Sequence, residues 1–286
     1  MKLIVMAIVG VAGLMAQQAV SISFQAVAGE AELACGKSYT GIGTTKSTIT
    51  PRDFRFYVHN VRLIDAAGKE VAVELKQDEK WQLDNVALLD FENATGSCAN
   101  GTPERNTAVV GTVAAGVRGV GLKFTMGVPF EKNHTDLTKM GSPLNLTALA
   151  WVWNAGRKFA RLDFSSTGVP RGYAIHLGST GCTPNETKTT IPTHCTEPNR
   201  VEVTIPEFDA AKDTVIADLA ALLQDSNVDQ GGKMMSGCMS GPMTAACGPL
   251  FSNLGLAFPN QPLKAQTFFR KGGARVAAGS VTEARR

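Results

Sequence analysis

The chain has 286 residues, a net charge of +3, 44% hydrophobic residues and six cysteines. That length buries a sizeable core, as one large domain or two small ones. The weak charge, with no basic stripe interleaved with aromatics, excludes an ordinary electrostatic nucleic-acid binder.

Lys2 precedes an apolar run from Leu3 to Met15, and the polar pair Gln17-Gln18 follows. This is the order of a secretory signal peptide. The run is too short for a spanning helix, which needs about 20 apolar residues. Cleavage is expected after Ala16 or Ala19, which assigns residues 1–19 to the signal and places the protein in the periplasm or outside the cell. No later stretch is long and apolar enough to span a bilayer. Residues 20–270 read as one β-rich domain, and 271–286 as a basic flexible tail.

Ser21 to Ala28 alternates like a first strand, and Asp53 to Leu63 alternates with a period of two. Phe54, Phe56 and Val58 share one face of the second segment; Tyr57, His59, Val61 and Leu63 share the other. Ala66 to Lys69 is a turn, and Val71 to Leu75 returns as its hairpin partner. Leu83 to Leu89 fits a strand or a short helical turn. Further strands are expected at Val117–Met126, Leu146–Trp153, Lys158–Phe164, Tyr173–Leu177 and Arg200–Ile205. An amphipathic helix is expected at Ala211–Gln224, where Val215, Leu219 and Leu222 or Leu223 recur at helical spacing. The fold class that follows is mainly β: a β-sandwich or distorted barrel with inserted loops and one or two short helices.

The cysteines are Cys35, Cys98, Cys182, Cys195, Cys238 and Cys247. An even number in an exported chain argues for disulfides, and no C-x-x-C spacing argues for a thiolate metal site. Loop closure favours the local pairs Cys182–Cys195 and Cys238–Cys247, leaving Cys35 with Cys98. C-x-x-C-H is absent, so the chain does not attach a c-type haem itself.

Histidine is scarce: His59, His134, His176 and His194 are the whole supply. Fixed on strands and tight turns, such residues suit convergent metal ligands, although each suits a structural hydrogen bond equally well. Trp151-Val152-Trp153 puts two indoles on one face of a strand, more than a small core readily fills. Met234, Met235, Met239 and Met243 surround Cys238, as soft ligands or as flexible filler. No G-x-S-x-G, Walker, H-E-x-x-H or EF-hand pattern occurs, so no enzymatic activity is expected.

The motifs in their order resemble the MbnP-like family, the four-Cys proteins of the metallo-mystery pair system. The matching pieces are Cys35-Gly36 with Tyr39, Asp53-Phe-Arg-Phe-Tyr-Val-His59, Trp81-Gln82, Leu88-Leu-Asp-Phe91, Phe124 to Pro129 and Asn133-His134. Pro143-Leu-Asn145, Trp151-Val-Trp153, His176-Leu-Gly-Ser-Thr-Gly-Cys182 and Gly237-Cys-Met-Ser240 with Cys247 complete them. The resemblance implies a periplasmic copper-binding protein. It further implies a di-haem c-type, cytochrome-peroxidase-like partner of the MbnH type, which oxidises a tryptophan to kynurenine near the copper. Carried over, Trp153 and Trp151 are the candidates for oxidation. His59 and His134 are the first ligand candidates and His176 the next. Gly156-Arg-Lys-Phe159 departs from the family pattern, with basic residues where an aromatic is expected. The alternative reading is a secreted β-sandwich module that binds a glycan or protein without metal.

Overall fold

A computed structural model of the chain describes residues 16–151, 156–183, 191–231 and 236–273. Two open sheets pack face to face as a β-sandwich, among the described residues six-stranded and ten-stranded. Strand β1 (Gln17–Ala28) sits inside the smaller sheet, and β2 (Ser47–Asp65) is the long central strand of the larger one. β3 (Val86–Asp90) pairs with the middle of β2. β4 (Ala108–Ala114) returns antiparallel to β1. β5 (Gly119–Met126) pairs with β2 and leads into a covering segment. That segment holds the short helix α1 (Phe130–Asn133) and a hairpin of β6 (Ala150–Trp151) and β7 (Gly156–Arg157). β8 (Ala160–Ser166) and β9 (Tyr173–Leu177) extend the larger sheet beyond β2. β10 (Thr180–Thr183) and β11 (His194–Glu197) form a separate hairpin. β12 (Val201–Pro206) pairs with β5, and β13 (Thr214–Asp218) runs parallel to β1. α2 (Leu219–Leu223) and α3 (Cys247–Asn253) close one end.

The core between the sheets is aromatic. Phe24 of β1 meets Phe56 at 6.3 Å and Phe124 at 5.6 Å, edge to face, and Phe269 joins Phe124 at 5.1 Å. Edge-to-face rings set positive edges against negative faces, which adds to the burial of large apolar surface. The other face of β2 is buried as well: Asp53, Arg55, Tyr57 and His59 are all covered. The segment from α1 to β7 does the covering, and Tyr57 donates from its hydroxyl to Pro143 O at 2.6 Å. β2 therefore reads as alternating in sequence although it is buried on both faces.

Three expectations change. Ala211–Gln224 is not one helix. Thr214–Asp218 is a strand, fully buried beside β1, so the 3.6-residue pattern there is a coincidence of continuous apolar burial. Only Leu219–Leu223 is helical, capped by Asp218 Oδ1, which accepts from Ala220 N and Ala221 N. Within the expected Leu146–Trp153 strand, Thr147–Leu149 is a 3₁₀ turn and only Ala150–Trp151 is strand among the described residues; Val152 and Trp153 lie outside them. Val71–Leu75 splits: Glu70–Ala72 pairs with β2, while Glu74–Leu75 crosses to β4 in the other sheet.

The expected domain boundaries both fall inside strands. Gln17 to Ala19 pair with Ala114 to Thr112 of β4. Lys271 and Gly272 pair with Val215 and Thr214. The cysteines pair as Cys35–Cys98, Cys182–Cys195 and Cys238–Cys247. No helix of the described residues is long and apolar enough to cross a membrane.

Candidate metal centre

His59 lies on the covered face of β2, opposite Thr125 of β5 and Val86 of β3. It is 9% exposed, and its Nε2 is buried without a hydrogen-bond partner. Burial, helped by the Arg200 guanidinium, pushes the imidazole down to about 4. His59 is therefore neutral at physiological pH, the form that donates a lone pair to a metal. Arg200 is fixed by donation from Nε to Val128 O at 2.7 Å and lies over the Phe159 ring at 5.4 Å. One of its terminal nitrogens has no partner.

His134 follows α1 directly, 4% exposed, with its ring 5.1 Å from that of Phe130. Arg157 N donates to Asn133 Oδ1 at 2.8 Å, which fixes the orientation of that amide. Asn133 Nδ2 then faces His134 Nε2 at 3.0 Å as a donor. This assigns the lone pair of His134 to Nε2 and its proton to Nδ1. The same Nε2 lies 3.4 Å from Cys195 Sγ and 3.9 Å from Cys182 Sγ. These three residues are the one His/Cys/Asp/Glu group among the described residues with metal-ligand proximity. Bonded to each other, the two sulfurs are not thiolate donors.

Trp151 and Gly156 are cross-strand partners in the β6–β7 hairpin. A Cβ at Gly156 would lie 3.3 Å from His134 Cε1, so the Trp151 side chain and the His134 ring share one face of that hairpin. The indole packs on Gly178, where a Cβ would come within 2.4 Å of it; only glycine fits. Arg157, where the resemblance leads one to expect an aromatic, is 1% exposed. It donates to Leu144 O at 2.7 Å, Asn133 O at 2.7 Å and Lys132 O. Its guanidinium thus supplies the C-terminal carbonyls of α1 with donors and holds His134 in place. Trp153 lies outside the described residues.

His176 stands apart. It pairs across β8 with Arg161, which in turn faces Arg55 of β2. That register puts it about 10 Å across the sheet and about 13 Å along it from His59. Its Nε2 meets Asp163 Oδ1 at 2.9 Å, while Nδ1 is buried without a partner. His176 belongs to a covered polar row with Asp53, Arg55, Arg161 and Asp163, next to Asp90 of β3. His194 is exposed beside the Thr183 hydroxyl. Arg200, Asn133 and the Cys182–Cys195 bridge carried no local sequence signal as partners of the imidazoles. Arg157 did, as the departure from the aromatic pattern.

Asp90 gives the row a pH signature. Burial raises its carboxyl to about 7, against about 3.9 in an unfolded chain. The fold then binds a proton that the unfolded chain releases. That contribution is fully present below about pH 4 and is lost as pH rises through about 7, by at most about 4 kcal/mol. Urea denaturation should show lower stability at pH 8 than at pH 5, and Asp90→Asn should flatten that decline.

The MbnP family model matches residues 17–240. The solved structure of MbnP from Methylosinus trichosporium superposes with a TM-score of 0.77 at 31% identity, covering 91% of this chain and 99% of that one. No curated protein matches the sequence.

Proposed function

The chain belongs to the MbnP family, and from that premise we propose that it is an exported copper-binding protein without catalysis of its own. The observation that supports this most is His59: a buried, neutral imidazole whose Nε2 has no protein partner. Leaving such an atom unpaired costs about 1–3 kcal/mol, and a bound metal removes that cost. Neutral imidazole suits copper. His134, whose Nε2 accepts from Asn133 Nδ2, is the second candidate ligand, and copper would replace that hydrogen bond. When bound, copper would supply a redox-active, thiophilic centre; His59 and His134 would hold it, with the Arg200 guanidinium beside His59.

The di-haem MbnH-type partner, with oxidation of Trp151 or Trp153 to kynurenine, completes the proposal. Trp151 shares its hairpin face with His134. Kynurenine there would offer an aromatic amine and a carbonyl where indole offers only an N–H. Signal removal on export is placed after Ala16, which leaves all of β1 in the mature chain; cleavage after Ala19 would remove three of its pairs with β4.

The His59→Leu variant tests the site. It should fold with unchanged or higher stability, because it removes an orphaned polar atom. Its Cu(I) affinity, measured against a chromophoric chelator, should fall at least about 100-fold, since it loses a direct ligand. Equal affinity in folded His59→Leu protein would favour a metal-free binding module for a glycan or protein.

A further inference from the structure

We propose that the Cys182–Cys195 disulfide is the closed form of a redox-opened metal site that shares His134 with the proposed copper centre and so is an alternative to it. Reduced by a dithiol, it becomes a three-ligand site of His134 Nε2 and two thiolates for a thiophilic d10 cation such as Cu(I). The site uses neither His59 nor the row around His176.

The geometry is already most of the way there. A tetrahedral ion with metal–sulfur bonds of about 2.3 Å and metal–nitrogen bonds of about 2.0–2.1 Å has N···S edges of about 3.5 Å. His134 Nε2 sits 3.4 Å from Cys195 Sγ and 3.9 Å from Cys182 Sγ. Two of the three ligand edges are therefore in place, and only the S···S edge must open, to about 3.8 Å. Cys182 and Cys195 face each other across the β10–β11 ladder, so the hairpin keeps both thiols at the imidazole after the bond between them is gone. The imidazole is prepared as well. The Arg157 N–H fixes the Asn133 amide, whose Nδ2 donates to His134 Nε2 and so keeps the imidazole proton on Nδ1; the cation takes that lone pair in place of the amide hydrogen bond. A second element of order comes from Gly156, where a Cβ would lie 3.3 Å from both His134 Cε1 and Asn133 Nδ2.

The chemistry balances as thiol–disulfide exchange. A thiolate of the dithiol attacks Cys195 Sγ, the half-buried sulfur, and the S–S bond breaks with Cys182 leaving as thiolate. The second thiol of the reductant then displaces Cys195. The reductant ends as a disulfide, having given two electrons and two protons to the cysteines. The cation binds with release of those protons to solvent. Soft thiolates beside an imidazole select Cu(I) or Zn(II) over hard cations. In the oxidised state the same sulfurs are closed to metal, so the site reports on the thiol poise of its compartment.

Anaerobic Co(II) titration after dithiol treatment and removal tests this, because thiolate-to-cobalt charge transfer distinguishes sulfur ligation from imidazole ligation. Treated wild-type protein should gain one Co(II) with such a band, and untreated protein should show no such band. Alkylation mapping should place the new thiols at Cys182 and Cys195. His134→Ala should keep both thiols and bind Co(II) at least tenfold more weakly. His59→Ala should leave this uptake unchanged, which separates it from copper held at His59. If dithiol treatment unfolds the chain, the Cys195→Ser variant frees Cys182 without any reductant and should give a weaker band that His134→Ala abolishes. Mapped thiols at Cys182 and Cys195 without a charge-transfer band, or equal affinity in His134→Ala, would overturn the proposal.

Discussion

Replacing Arg55 with methionine lowers the free energy of unfolding by about 3–5 kcal/mol. Arg55 is 2% exposed on the covered face of β2. It forms a two-pronged pair with Asp53, with Nε to Oδ1 at 2.8 Å and a terminal nitrogen to Oδ2 at 2.5 Å. Its other terminal nitrogen is 3.7 Å from Glu92. Asp53 and Glu92 are buried too, so the substitution leaves two carboxylates in a poorly solvated layer with Arg161 as the nearest remaining cation, 3.2 Å from Asp53. Breaking a buried pair from one side is costly because the stranded charge keeps its desolvation penalty. Glu92 loses more than a charge partner. It also accepts from Ala94 N and Thr102 N, so it pins the loop that carries Cys98. Chemical denaturation of wild type and Arg55→Met measures the effect, and adding Asp53→Asn should recover part of it. A loss under about 1 kcal/mol would mean that water reaches this layer and screens it.

The second large effect concerns the longest covalent loop. Converting Cys35 and Cys98 together to alanine should cost about 4 kcal/mol, because their bridge closes a separation of 63 residues. The Cys182–Cys195 and Cys238–Cys247 bridges span 13 and 9 residues and should each contribute about 3 kcal/mol. The Cys35–Cys98 bridge also fastens two chain segments whose packing depends on glycine. Gly36 and Gly96 have φ of +80° and +52°, and a Cβ at Gly96 would lie 3.1 Å from Gly36 Cα. Ser97 locks the contact by accepting from Gly36 N at 2.9 Å and donating to Pro51 O at 2.5 Å. The denaturant midpoint should fall furthest in the Cys35/Cys98 double-alanine protein and less, by similar amounts, in the other two. Equal losses would show that local strain or residual unfolded structure, rather than loop length, governs these bridges.

Much of the sandwich is legible along the chain where one face is wet or the flanking turns are polar. Tyr173–Leu177 is the strand expected, and Asp53–Leu63 lies inside β2. The disulfide pairing follows from loop closure because two of the bridges are local. β13 was misleading for a physical reason: buried on both faces, Thr214–Asp218 shows no strand alternation, and Val215 falls by chance at helical spacing from Leu219 and Leu222. The covered face of β2 hid in the same way. Tyr57 and His59 alternate with Phe56 and Val58 as if one set faced solvent, and only the return of the chain over β2 buries both. At the candidate site, the sequence singles out His59, His134 and Trp151 as individual residues. It says nothing about Asn133 setting the His134 tautomer, Arg200 lying beside His59, or the bridge touching His134 Nε2. Those are tertiary meetings between β2, α1, β7, β10 and β11, with no spacing rule to announce them. The same lack of a rule separates His176 from His59: the ladder register, and nothing local, places them on distant strands.

The most direct test of the copper reading is metal analysis with intact mass on protein purified from its native host. The account predicts about one copper per chain at the His59 centre, an N-terminus at Gln17, and the mass increase of one tryptophan-to-kynurenine conversion mapped to Trp151 or Trp153. Copper without the added mass would keep the binding role and remove the modification. Protein that carries no copper, and takes none up under oxidising or reducing conditions, would contradict the account.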